Sequence, residues 1–141
     1  MARSSEPHLC YALAARRSAR HLSRLYDSHL APVGLSVSQF SILRLLKAHE
    51  PLKINELAEM LIMERTTLVR ALKPLQVSGW VVTESSGNSR AFDLTLSASG
   101  LAKVDEAIPL WVEAQAAFEE EVGRDRAIRL RDDIVNMNLG G

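Results

Sequence analysis

The chain holds a single cysteine in 141 residues, which excludes an intramolecular disulfide framework. Long apolar runs are missing too, so no segment reads as a transmembrane helix. The N-terminal stretch through Leu22 has no uninterrupted apolar core, because Arg16, Arg17 and Arg20 cut it. That excludes a secretory signal and makes the cytoplasm the expected location. The glycines are scattered and build no phosphate loop. There is no internal repeat and no low-complexity tract. No metal-ligand repeat occurs either. Cys10 lies two residues from His8, but His21 and His29 sit a turn or more away, so separate histidines are expected, with no metal and no cofactor. A Cys–His nucleophile would need a positioned base and an oxyanion donor. Nothing marks either, so no enzyme is expected.

An excess of one charge is also absent, with 17 basic and 17 acidic residues. The distribution is uneven. Residues 1–34 hold five basic and two acidic residues, 35–96 seven and six, and 97–141 five and nine. Carboxylates therefore gather toward the C-terminal end. This asymmetry fits a chain that shows only one side to a nucleic acid.

What the sequence does contain is concentrated in residues 54–96. Ile54, Leu57, Ala58 and Leu61 follow the helical i, i+3, i+4, i+7 rule. After Ile62, Met63 and Glu64, a second helix is expected up to Gly79, with Leu68, Leu72 and Leu75 on one stripe. Thr66, Arg70 and Lys73 share the opposite face, within about one sixth of the circumference. Two short helices across a tight turn form a helix-turn-helix pattern. Residue for residue, a plain αα-hairpin with a solvated outer face fits these two helices equally well. The next residues separate the two readings. Gly79 is placed to end the helix. Trp80–Glu84 is β-branched and aromatic, Ser85–Arg90 is a polar linker, and Ala91–Leu96 alternates Phe92, Leu94 and Leu96 with polar or small residues. A β-hairpin directly after a candidate recognition helix is a wing.

The flanks are helical. A helix is expected from about His8 to Leu30, with Leu9, Leu13, Leu22, Leu25, Tyr26 and Leu30 on a broad face. Pro32 and Gly34 end it. Ser36 and Gln39 form a capping-box pair opening a helix to about His49, and Glu50–Pro51 makes the turn into the helix pair. Pro74 should bend or loosen the recognition helix. Ser97 caps a long helix carrying Leu101, Val104, Ile108, Trp111, Phe118 and Val122, with Gln115 in the gap and a kink expected at Pro109. Gly123 breaks it. A last helix, about Arg124 to Met137, aligns Ala127, Leu130, Ile134 and Met137.

The expected fold is mainly α with a small β-hairpin wing. A winged helix-turn-helix DNA-binding domain (35–96) stands between an N-terminal dimerisation helix (1–34) and C-terminal dimerisation helices (97–141). The flanking apolar faces must be buried, and a second copy of the chain is the simplest partner. Such a dimer offers two recognition helices to two half-sites, so the operator should be an inverted repeat. Thr66, Thr67 and Arg70 are expected at base edges or nearby phosphates, Arg65 and Lys73 at phosphates, and Ser86, Asn88 and Arg90 at the neighbouring groove. A winged helix used only for protein contact is the competing reading. It would more often show exposed aromatics or aliphatics on that face.

In order and spacing, Leu35–Leu46, Ile54–Leu61, Glu64–Val81 and Asn88–Gly100 resemble the MarR family of bacterial winged-helix regulators. The resemblance implies terminal helices interleaved across a two-fold axis. It also implies a small, often aromatic or phenolic, effector between the winged domain and the dimer helices, where Tyr26, Phe40 and Trp111 are candidates for an effector cleft or plain core. The family's wing usually carries an Asp two residues before its Arg. Here Asn88 precedes Arg90, which keeps the hydrogen bond and loses the charge. The stretch around Cys10 is similar to that of the peroxide-sensing branch, which carries a reactive cysteine near the same helix start. That branch has a tyrosine one turn later, where this chain has Ala14, and Tyr26 lies two positions beyond the place of the second. Cys10 is thus either a thiol switch or a small buried hydrophobe.

Overall fold

The computed structural model describes residues 6–85 and 92–137. A 3-10 turn, Pro7–Leu9, precedes α1 (Tyr11–Leu30), and a second, Ala31–Val33, leads to α2 (Val37–His49). Then follow β1 (Leu52–Lys53), α3 (Ile54–Leu61), α4 (Arg65–Val77), β2 (Val81–Ser85), β3 (Phe92–Leu96), α5 (Ala98–Val122) and α6 (Arg124–Val135). The strands form one antiparallel sheet in the order β1-β3-β2. The chain divides into two compact units: residues 30–109, and the terminal segments 1–29 and 110–141. The first unit takes in the end of α1 and the first half of α5.

The 30–109 unit closes around a leucine core. Leu30, Leu43, Leu46, Leu57, Leu68, Leu72, Leu75, Leu94 and Val104 are fully buried. Local signals explain its elements. The Ser36 hydroxyl accepts from the Gln39 amide (3.1 Å), and the Gln39 side chain accepts from the Ser36 amide (3.0 Å), completing the capping box. Such a cap stabilises a helix start by about 1 kcal/mol. Pro74 does not loosen α4, which runs on to Val77. Leu72 and Leu75, at 1% and 0% exposure, clamp the helix on both sides of it. The helix then ends in a Schellman pattern. The Trp80 amide donates to Leu75 O and the Gly79 amide to Gln76 O, both at 3.0 Å, with Gly79 at φ 77.

Strand β1 was not expected. Leu52 pairs with Leu94 and Lys53 with Asp93, and Lys53 Nζ stands 3.2 Å from the Asp93 carboxylate. The hairpin register pairs Val81 with Leu96 and Ser85 with Phe92. Leu94 is buried as its alternation required, but Phe92 is 53% exposed, since it pairs with the last residue of β2, beyond the leucine core. Where β3 meets α5 the chain is tightly knotted. Ser97 Oγ donates to Gly79 O (2.5 Å) and caps the helix by accepting from the Gly100 amide (3.0 Å). A Cβ on Gly100 would lie 2.1 Å from Trp80 O, so only glycine lets the two backbones approach there. Lys103 Nζ sits 5.3 Å from the centre of the Trp80 ring and donates to Val33 O (3.2 Å).

The terminal unit is packed differently. Ala114 and Ala127 are its buried apolar residues among those described. Leu13, Val112, Leu130, Ile134 and Met137 stay exposed. An open groove of about 1100 Å³ runs along it, with Leu13, Leu22, Phe118 and Leu130 as apolar lining and Arg17, Arg20, Arg126 and Arg129 among the charged residues. The Tyr26 hydroxyl donates to Gln115 Oε1, so Gln115 is a polar partner and more than a gap in the stripe. Helix α5 is continuous through Pro109.

Candidate nucleic-acid interface

Helix α4 presents two chemically distinct sides. Leu68, Leu72 and Leu75 anchor one side in the core, while Arg65, Thr66, Thr67, Arg70 and Lys73 are exposed on the rest. Burial of one stripe fixes the rotation of the helix, and with it the direction in which the other side points. None of Arg65, Arg70 and Lys73 forms a salt bridge with another described residue. Their charges are therefore not neutralised within the described structure. Val69 and Val77, both exposed, add apolar surface between and beyond them.

The turn before α4 is unusual. Ile62 adopts φ 51, the one positive φ outside glycine among the described residues, and it is 95% exposed. Its amide donates to Glu59 O (3.1 Å), and the Met63 amide donates to Ala58 O (2.9 Å). This is the pattern that Gly79 uses at the end of α4, built here on a β-branched residue that pays a steric cost in that conformation. Glu64 then occupies the N-cap of α4 without a side-chain cap hydrogen bond. Neither feature stands out in the sequence, because the dihedral that strains Ile62 is imposed by docking α3 against α4.

The far end of α4 is tied to the hairpin, since Gln76 Nε2 donates to Thr83 Oγ1 at 2.9 Å. The recognition-helix residues and the base of the hairpin thus belong to one unit. Ser86, Asn88 and Arg90 lie outside the described residues. The remaining candidates are dispersed. Phe40 is core of the winged unit at 2% exposure. Tyr26 and Trp111 are half-buried in the terminal unit, and none of the three lines the groove described above. Burial, and second the Glu119 carboxylate, push the Tyr26 phenol above its usual 10.0. Cys10 stands at the residue just before α1 rather than a turn inside it. It is exposed, and its Sγ accepts weakly from the Leu13 amide (3.5 Å). The histidines have separate partners: His8 faces Glu6 at 3.3 Å, His21 faces Glu121 at 3.4 Å, and His29 Nδ1 meets Leu25 O at 2.9 Å.

Two helices across a tight left-handed turn, followed by a hairpin that shares their core, define a winged helix-turn-helix protein. The MarR family pattern matches residues 35–91, and the chain belongs to this family of transcriptional regulators, which are not enzymes. Similar structures include the transcriptional regulator MosR of M. tuberculosis in complex with DNA, 35% identical, covering 91% of this chain and 92% of that one with a TM-score of 0.80. Another is the transcriptional repressor CouR bound to a 23-mer DNA duplex, 26% identical, covering 95% of this chain and 96% of that one with a TM-score of 0.84. The uncharacterized HTH-type transcriptional regulator YwoH of Bacillus subtilis is 29% identical over 99 residues, 70% of this chain and 71% of YwoH.

Proposed function

We propose that this protein is a cytoplasmic, sequence-specific DNA-binding repressor that occupies an inverted-repeat operator as a homodimer and is released by a small-molecule effector. The observation that carries this reading is the exposed hydroxylic and cationic side of α4, on a helix whose orientation the buried leucine stripe fixes. Thr66, Thr67 and Arg70 reach base edges or nearby phosphates, and Arg65 and Lys73 hold phosphates. Ser86, Asn88 and Arg90 carry the wing to the adjacent groove. MosR and CouR, both solved with DNA, support the reading. Residues 35–96 serve as the DNA-binding domain. Residues 1–34 and 97–141 serve as dimerisation helices, an assignment supported by the exposed Leu130, Ile134 and Met137. The effector acts through those helices by changing the spacing of the two recognition helices. Affinity selection from random duplex DNA with the purified protein tests this. An inverted repeat with half-sites about one helical turn apart is expected, and recovery of no enriched sequence would overturn it.

The solvent-exposed thiol of Cys10 favours a second reading of the release step. An organic peroxide transfers one oxygen to the thiolate, giving a sulfenic acid and releasing the alcohol. Operator binding of wild type and Cys10→Ser before and after stoichiometric peroxide decides between them. Release of the wild type alone establishes the thiol switch, and equal retention by both leaves the ligand as effector.

A further inference from the structure

Glu64 is the one acid at the leading end of α4. It is exposed, and it forms no salt bridge with another described residue. Its position is the N-cap, where Ser, Thr, Asp or Asn would satisfy an open amide and stabilise the helix start by about 1 kcal/mol. Glu64 makes no such bond. A carboxylate here is also unfavourable for a surface that approaches phosphates, since like charges repel at the point of closest approach. The helix dipole favours an exposed carboxylate here by about 0.3–1 kcal/mol, no more than a capping Ser, Thr, Asp or Asn would contribute, and general DNA affinity is reduced by it. What remains is base recognition. The N-terminal residues of a recognition helix are those nearest the base edges, and a carboxylate there has only acceptor capacity.

Resting on the DNA-binding reading above, we propose that Glu64 is a specificity-determining residue that accepts a hydrogen bond from the N4 amino group of a cytosine in each half-site. Cytosine fits because its major-groove edge offers a donor alone. Adenine places the N7 acceptor beside its N6 donor, guanine offers two acceptors, and thymine offers an acceptor and a methyl group. A carboxylate meets repulsion or a lost bond at each of these. Glu64 thus lowers affinity for DNA at large and restores it only where the cytosine stands, which sharpens discrimination from both directions.

The test measures the full-length protein, wild type, Glu64→Ala and Glu64→Ser, on the selected operator, on variants with each half-site base replaced in turn, and on unrelated duplex. A further operator carries a cytosine analogue that lacks the 4-amino group. The serine variant supplies a side chain able to cap the helix, so a folding defect is separated from a recognition defect. Wild type should lose about 5- to 150-fold in affinity at one cytosine per half-site, and equally with the analogue. Both variants should be indifferent to that position and should bind unrelated duplex more tightly than wild type. Base preferences in Glu64→Ala and Glu64→Ser that match wild type at every position would overturn the proposal while leaving DNA binding in place. Failure of wild type to select any site would instead remove the DNA-binding reading itself.

Discussion

The winged unit and the terminal unit are built from helices of similar amphipathic pattern, yet they end in different states. In the winged unit, Leu57, Leu68, Leu72 and Leu75 meet Leu43, Leu46 and Leu94 inside one core and vanish from the surface. In the terminal unit, the α6 stripe buries Ala127 and leaves Leu130 and Ile134 in solvent, with Met137 exposed beyond the helix end. A stripe is only a demand for a partner surface. Contacts of α2, α3 and α4 with the sheet and of α3 with α4 meet that demand within the winged unit, whereas Leu130 and Ile134 of α6 stay exposed. A second contrast lies inside the winged unit, between its two left-handed helix ends. Gly79 takes φ 77 without steric cost, and Ile62 takes φ 51 with one.

The sharpest way to break the first comparison is to truncate one stripe residue on each side of it. Leu72→Ala should destabilise the winged unit by about 2–5 kcal/mol, read as a lower midpoint in denaturant at any protein concentration. Ile134→Ala should leave that midpoint nearly unchanged at high concentration and, if the proposed homodimer forms through α6, raise the concentration at which it dissociates, seen by analytical ultracentrifugation. A dimer unaffected by Ile134→Ala and by removal of residues 124–141 would place the association surface elsewhere.

Next in size is Arg70→Ala. A base-edge contact predicts a loss of about 1–3 kcal/mol confined to one position per half-site. Arg90→Ala should instead weaken all sequences alike and flatten the salt dependence by about one counterion per site. Titrations at several salt concentrations on operator and single-base variants separate the two patterns.

The contrast between the helix ends sharpens with Ile62→Gly. Relief of the left-handed strain outweighs the added freedom of the unfolded chain, so stability should rise by about 0.5–1 kcal/mol. Thermal unfolding checks this, and a lower Tm would mean that the isoleucine contributes packing that its exposure does not suggest.

The smallest effect is expected at Tyr26→Phe, which removes the bond to Gln115 and should cost about 0.5–1.5 kcal/mol. Its pH dependence carries a sign. Burial first, then Glu119, raise the phenol above 10.0, so the folded chain holds that proton more tightly than the unfolded one. The contribution is complete below pH 10 and declines as pH rises through the folded value. Denaturation of wild type between neutral pH and pH 11 should show an alkaline decline that is weaker in Tyr26→Phe.

Helix identity, the Ser36–Gln39 cap, the sidedness of α4 and the existence of the hairpin were all readable in advance, because each depends on residues within a few positions of one another. A period of 3.6 or 2 and a capping spacing of three are local properties of the chain. Arg70 and Lys73 could be placed outward as soon as Leu68, Leu72 and Leu75 were placed inward. Other features needed the folded chain. Strand β1 exists because Leu52 finds Leu94, and two residues of sequence carry no periodicity. The glycine requirement at position 100 comes from the Trp80 carbonyl, and the strain at Ile62 from the turn that seats α4 on α3. Tyr26, open in sequence to a cleft or a plain core role, is bound through its hydroxyl to Gln115 on another helix. Periodicity states which side of an element must be covered, but the covering residue lies far along the chain, and only the meeting of distant segments selects it.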